Sequence, residues 1–75
     1  MASFYYTTAI KKEIGEKIMK ARKQKNLEQI DIAALAGINR SYYGKIEKGL
    51  ANPTIEKLYK IIKVLDLKSS DVLPF

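Results

Sequence analysis

The reactive side chains of this chain are of a narrow kind. Cysteine and histidine are both absent from its 75 residues. That removes disulfides, thiolate and imidazole metal ligands, and the Ser-His or Cys-His pairs that activate most covalent catalysis. Only scattered carboxylates remain for acid-base work, so neither an enzyme nor a metal or cofactor is expected. Positive charge is what the chain has in quantity. Its 14 lysines and arginines against 8 aspartates and glutamates give a net +6 and an isoelectric point near 9.6. A field of that sign concentrates polyanions at the surface, which makes nucleic acid and an anionic membrane the two partners to weigh.

Positioning those charges requires a fold, and the composition supports one. With 47% hydrophobic and 29% charged residues, the chain can bury enough apolar surface to order itself. Its length allows one small domain of modest stability. No apolar run approaches the ~20 residues that span a bilayer. The opening MASFYYTTAI lacks the basic segment and apolar core of a secretory signal, so a cytoplasmic location is the expectation.

Apolar spacing divides the chain into helices. Residues 1–8, with Phe4, Tyr5 and Tyr6, read as an N-terminal arm, and residues 9–75 as the single domain. From Ala9 to about Lys25, Ile10, Ile14 and Ile18 recur at spacing four between lysines and glutamates, an amphipathic helix. Asn26, tolerant of left-handed geometry, stops it. Glu28 to Ala36 forms a short second helix with Gly37 at its C-terminal cap. Asn39 then caps a third, RSYYGKIEK, which ends at Gly49. Pro53 blocks further continuation, and Thr54 caps a fourth helix whose apolar face is Ile55, Leu58, Ile62 and Leu65. Residues 69–75 form a fifth helix or a packed tail. The expected fold class is all-α, a compact bundle of four or five helices.

Two short helices joined by the tight turn Ala36-Gly37-Ile38-Asn39 describe a helix-turn-helix spanning residues 28–48. A glycine suits that turn because a Cβ resists the positive φ of a sharp reversal. A longer pattern adds specificity. It comprises Gly15, Ile18 and Arg22, Leu27-x-Gln29, Ile32-Ala33, Gly37-Ile38, Arg40-Ser41-Tyr42, Ile46-Glu47-Lys48-Gly49, Asn52-Pro53-Thr54, Leu58 and Leu65. In this it resembles the phage repressor and Cro type of helix-turn-helix transcription regulators. The segment NRSYYGKIEKGLANPT also looks like the small controller proteins of restriction-modification systems.

The resemblance implies a lambda-repressor-like bundle that binds double-stranded DNA, with the helix from Asn39 to Lys48 in the major groove and its leading residues at base edges. Arg40, Ser41 and Lys45 become the candidates for base contact, since arginine can grip guanine O6 and N7 together. Gln29 becomes a phosphate contact at a helix N-terminus, where the dipole favours an anion. Asn39, Tyr42, Lys48 and Asn52 are further backbone contacts. Glu47 sits close to a face that meets phosphate, and the family pairs it with the arginine of the first helix, here Arg22, as a structural bridge. Tyr43 shares a face with Ile46 and reads as core.

Because one recognition helix covers too few base pairs to be specific, such readers act as homodimers. Leu65, Leu67, Val72, Leu73 and Phe75 supply a C-terminal patch for pairing, with the aromatic arm as rival. The lysines of the first helix also permit a membrane-surface reading, but they are spread around its polar face and its apolar stripe is needed for the core. Ile30 and Leu35 stand where the family prefers polar residues. They favour an alternative, a protein-interaction module of antitoxin or scaffold type that keeps the helix-turn-helix shape.

Overall fold

A computed structural model describes residues 7–73, the side chain of Ser69 excepted. The aromatic arm residues Phe4, Tyr5 and Tyr6, and Phe75 of the expected pairing patch, lie outside the described residues. Four α-helices follow in order: α1 Thr8–Gln24, α2 Gln29–Ala36, α3 Arg40–Glu47 and α4 Ile55–Val64. A single 3-10 turn, Ser69–Asp71, follows them. Among the described residues there is no strand.

Local chemistry explains the boundaries. Thr7 begins α1, its hydroxyl accepting from the Ile10 N–H at 3.1 Å. Thr7 and Thr8 therefore belong to the helix rather than to the arm. Asn26, with φ 56°, ends the α1 turn in the left-handed region expected of it. Glu28 is the N-cap of α2 rather than its first residue, and its backbone N–H donates to the Asp31 carboxylate at 2.9 Å. Gly37 adopts φ 68°, a conformation a Cβ would strain, and its N–H and that of Ile38 close on Ala34 and Ala33 carbonyls. The caps expected at Asn39 and Thr54 are both formed, to Tyr42 N and Lys57 N at 3.1 Å each. Among the described residues the C-terminal stretch forms a 3-10 turn rather than a fifth α-helix. Asp71 accepts from Lys68 N at 2.9 Å and closes that turn.

Side chains from every helix meet in one core. Ile14 and Ile18 of α1 pack with Ile32, Ala33 and Ala36 of α2, Tyr43 and Ile46 of α3, and Leu58, Ile61 and Ile62 of α4. The α1–α3 crossing is unusually tight. A Cβ on Gly15 would stand 2.5 Å from the Ile46 carbonyl oxygen, and closer still to that of Glu47. Only glycine lets the two backbones approach this far, which brings Arg22 of α1 within reach of Glu47.

Two expected pairing residues are corrected by the same core. Leu65 and Val72 are both fully buried within the chain itself, so no partner can touch them. Their spacing marked them as apolar without saying which body they face. Leu67 and Leu73 are half-buried and pack against the core edge.

Candidate nucleic-acid interface

Helix α3 divides into two faces. Tyr43, Ile46 and Glu47 turn inward, while Arg40, Ser41, Lys45 and the cap residue Lys48 are exposed. Arg40 and Ser41 occupy the first turn and Lys45 the next, with Gly44 between them leaving the surface low. Neither Arg40 nor Lys45 is covered by the chain's own packing. Asn39, at the leading end, is exposed, but its Oδ1 is occupied by the cap to Tyr42 N. Asn52 lies exposed in the loop to α4.

Behind this face lies a buried carboxylate with four donors. Glu47 Oε2 accepts from Arg22 Nε at 2.7 Å and from the Tyr43 hydroxyl at 2.6 Å. Its Oε1 accepts from Arg22 Nη2 at 3.1 Å and from Gln29 Nε2 at 2.9 Å. The arginine's remaining Nη1 donates to the Leu27 carbonyl at 2.7 Å, tying down the turn between α1 and α2. Burial alone would push the Glu47 carboxyl up. The hydrogen bonds from Arg22, Tyr43 and Gln29 overcome that and hold it below its ordinary value. The Glu47 hydrogen bond in turn raises Arg22, so that pair is charged. Burial, then the bond to the Glu47 carboxylate, drives the Tyr43 hydroxyl well above its usual range, and it stays a donor.

Gln29 therefore has a role beyond the expected one. It is the first residue of α2, half-buried, and its amide bridges to α3, passing so close that a Cβ on Gly44 would stand 3.6 Å from its Oε1. The side chain is an internal strut between the two helices of the motif, and the first backbone N–H groups of α2 lie beside it. The N-terminus of α2 and the start of α3 share an open cleft of about 540 Å³ whose lining includes Arg22, Lys23, Glu28, Gln29 and Arg40. Lys23 and Arg40 bring positive charge to it, Arg22 is already neutralised by Glu47, and Glu28 of the α2 capping box brings a carboxylate.

One basic residue escaped sequence reasoning. Lys57 of α4 places its ammonium 4.8 Å from the centre of the Tyr42 ring, in cation–π range. That fixes Tyr42 between α3 and α4. Nothing in the sequence pairs positions so far apart, and only the packed fold shows the contact. Among the described residues no helix is long and apolar enough to cross a membrane.

A short helix with a polar leading turn, braced on a second helix across a left-handed glycine, is the architecture of a helix-turn-helix DNA reader. Comparison with known proteins agrees. The Helix-turn-helix family model matches residues 18–73, and the chain belongs to that family. It is similar to the control protein C.MunI of a Mycoplasma species, 38% identical over 84% of this chain and 86% of that protein. It is equally similar to the transcriptional regulator SinR of Bacillus subtilis, 38% identical over 80% of this chain, of which it spans 55%. Among solved structures it resembles the restriction-modification controller protein C.Esp1396I, a tetramer in complex with its natural 35 base-pair operator. That likeness has a TM-score of 0.75 and 29% identity, covering 92% of this chain and 84% of that one.

Proposed function

We propose that this chain is a transcription regulator that binds duplex DNA sequence-specifically as a homodimer, with α3 in the major groove. The carrying observation is the exposed, basic leading half of α3, held on a buried inner face by the Glu47 cluster. Family membership supports the reading, as does a relative that sits on operator DNA as a tetramer. Arg40, Ser41 and Lys45 read base edges. Asn39, Tyr42, Lys48 and Asn52 hold phosphates, and Gln29 does so from the N-terminal end of α2. The protein acts in the cytoplasm and carries no chemistry of its own. Whether it represses or activates depends on where its site lies relative to a promoter.

Ile30 and Leu35, both exposed, favour a second reading, a protein-docking module of the same shape. Selection of bound duplexes from a random pool, followed by footprinting, separates the two. Enriched half-sites about one helical turn apart, roughly 34–36 Å, are the expected result. Folded protein that enriches no motif at low salt would point to the docking module instead.

A further inference from the structure

We propose that the second copy docks along the outer stripe of α4, antiparallel about a two-fold axis between Tyr59 and Lys60. The inference rests on the homodimer of the preceding subsection and says which face makes it. Tyr59 is 58% exposed and Ile55 59%, one turn apart on α4. Across a groove of about 470 Å³, lined also by Lys60, Lys63 and Val64, stands Leu35 of α2, 69% exposed. Leu65 and Val72 are buried in the chain's own core, whereas Leu35, Ile55 and Tyr59 are three of the large apolar side chains left exposed among the described residues, Ile30 and Leu50 being the others.

Charge order identifies the occupant. The exposed stripe runs Glu56, Tyr59, Lys60, Lys63, acidic at the start of the helix and basic at its end. An interface related by a two-fold axis must be complementary to itself. Laid antiparallel on its own copy, this stripe sets Glu56 against the partner's Lys63 and Tyr59 against the partner's Lys60. Laid parallel, it sets like against like. The contacts these groups make within one chain are exposed and weakly held, Glu56 to Lys60 at 3.6 Å and Lys63 at 5.7 Å from the Tyr59 ring. Exchanging them across an interface is not opposed. A standard interface covers ~800 Å² per partner, about a sixth of the chain's 5095 Å² surface, so Ile55 and Leu35 flank the stripe within it.

Sedimentation of the full chain, alone and on the duplex chosen by selection, tests this. Tyr59→Glu, at an exposed position, should weaken dimerisation at least tenfold while leaving the helical content seen by circular dichroism unchanged. Glu56→Lys and Lys63→Glu should each weaken it, and the double exchange should restore it. Within one helix these positions lie about 10 Å apart, and each exchange opposes the helix dipole, so rescue cannot come from a sturdier α4. A dimer indifferent to Tyr59→Glu, or a double exchange without rescue, overturns the proposal. So does dissociation by Leu67→Glu or Leu73→Glu in place of the α4 variants. In each of these cases the wild-type chain would still select its duplex, so the DNA reading would stand while the α4 interface fell. A wild-type chain that stays monomeric, alone and on DNA, also overturns it. A dimer that passes these tests but selects no duplex upholds the interface and removes the DNA reading.

Discussion

Glu47 shows how one residue joins fold to function. It is a carboxylate beneath the face proposed to meet DNA, and it is tolerable there because four hydrogen bonds hold it inside and Arg22 neutralises it. Removing one member of such a pair leaves the other desolvated, typically at about 3–5 kcal/mol. Glu47→Ala should therefore lower the melting temperature sharply, and an unchanged thermal melt would contradict the bridge. The acid side follows from the same bonds. Because the folded carboxyl lies below its ordinary value of 4.5, its contribution is complete above that pH and is lost as pH falls through the folded value. Wild-type stability should drop below about pH 4.5, and Glu47→Gln, less stable at neutral pH, should show a smaller drop. Gln29→Ala should do two things at once. It frees a lone pair on Glu47 and loosens the α2–α3 brace, so stability falls and binding to all duplexes weakens together. Arg40→Ala, on the outer face, should spare stability and relax sequence preference by roughly 1–3 kcal/mol at one base position, read by repeating the duplex selection.

At the scale of elements, the sharpest demand is the α1–α3 crossing. Gly15→Ala pushes a methyl into two α3 carbonyls, and overpacking of this sort costs about 1–3 kcal/mol. Since the crossing also seats Arg22 on Glu47, the variant should lose stability and operator affinity together. Calorimetry and gel shift would check it, and a melt equal to wild type would show that the helices can part without loss. The elements themselves were largely legible in the sequence because their signals are local. Asn26, Gly37, Asn39 and Thr54 announce a stop, a turn and two caps within a few residues of where they act. Thr7 is not legible as a cap because residues 1–8 are too short a stretch to show a periodicity of their own and read only as an arm. The brace from Gln29 to Glu47, the Tyr43 hydroxyl and the Lys57–Tyr42 contact were not legible. Each joins residues by tertiary packing or by a rotamer that no spacing encodes. Leu65 and Val72 went astray for the related reason that apolar periodicity marks a buried side chain but not the body that buries it.

The whole molecule carries +6, and the distribution of that charge decides what the excess can do. A uniformly basic surface would hold any polyanion loosely. Here Arg40, Lys45 and Lys48 line one helix, Lys23 borders the cleft beside it, and Lys57 stands against Tyr42. Each phosphate neutralised releases condensed counterions, so the logarithm of the association constant should fall with the logarithm of salt at a slope of about −0.9 per contact. Two groups of residues then act differently on that slope. Lys48→Ala, removing a proposed phosphate contact, should flatten it by about one unit and weaken every sequence alike. Ser41→Ala, removing a proposed neutral base contact, should leave the slope untouched and weaken only the preferred site. Titrations of specific and scrambled duplexes across a salt series would distinguish them. A Ser41→Ala variant that weakened specific and scrambled duplexes equally would mean that α3 lies along the phosphate backbone rather than in the groove, a mode of binding that could not discriminate sequence.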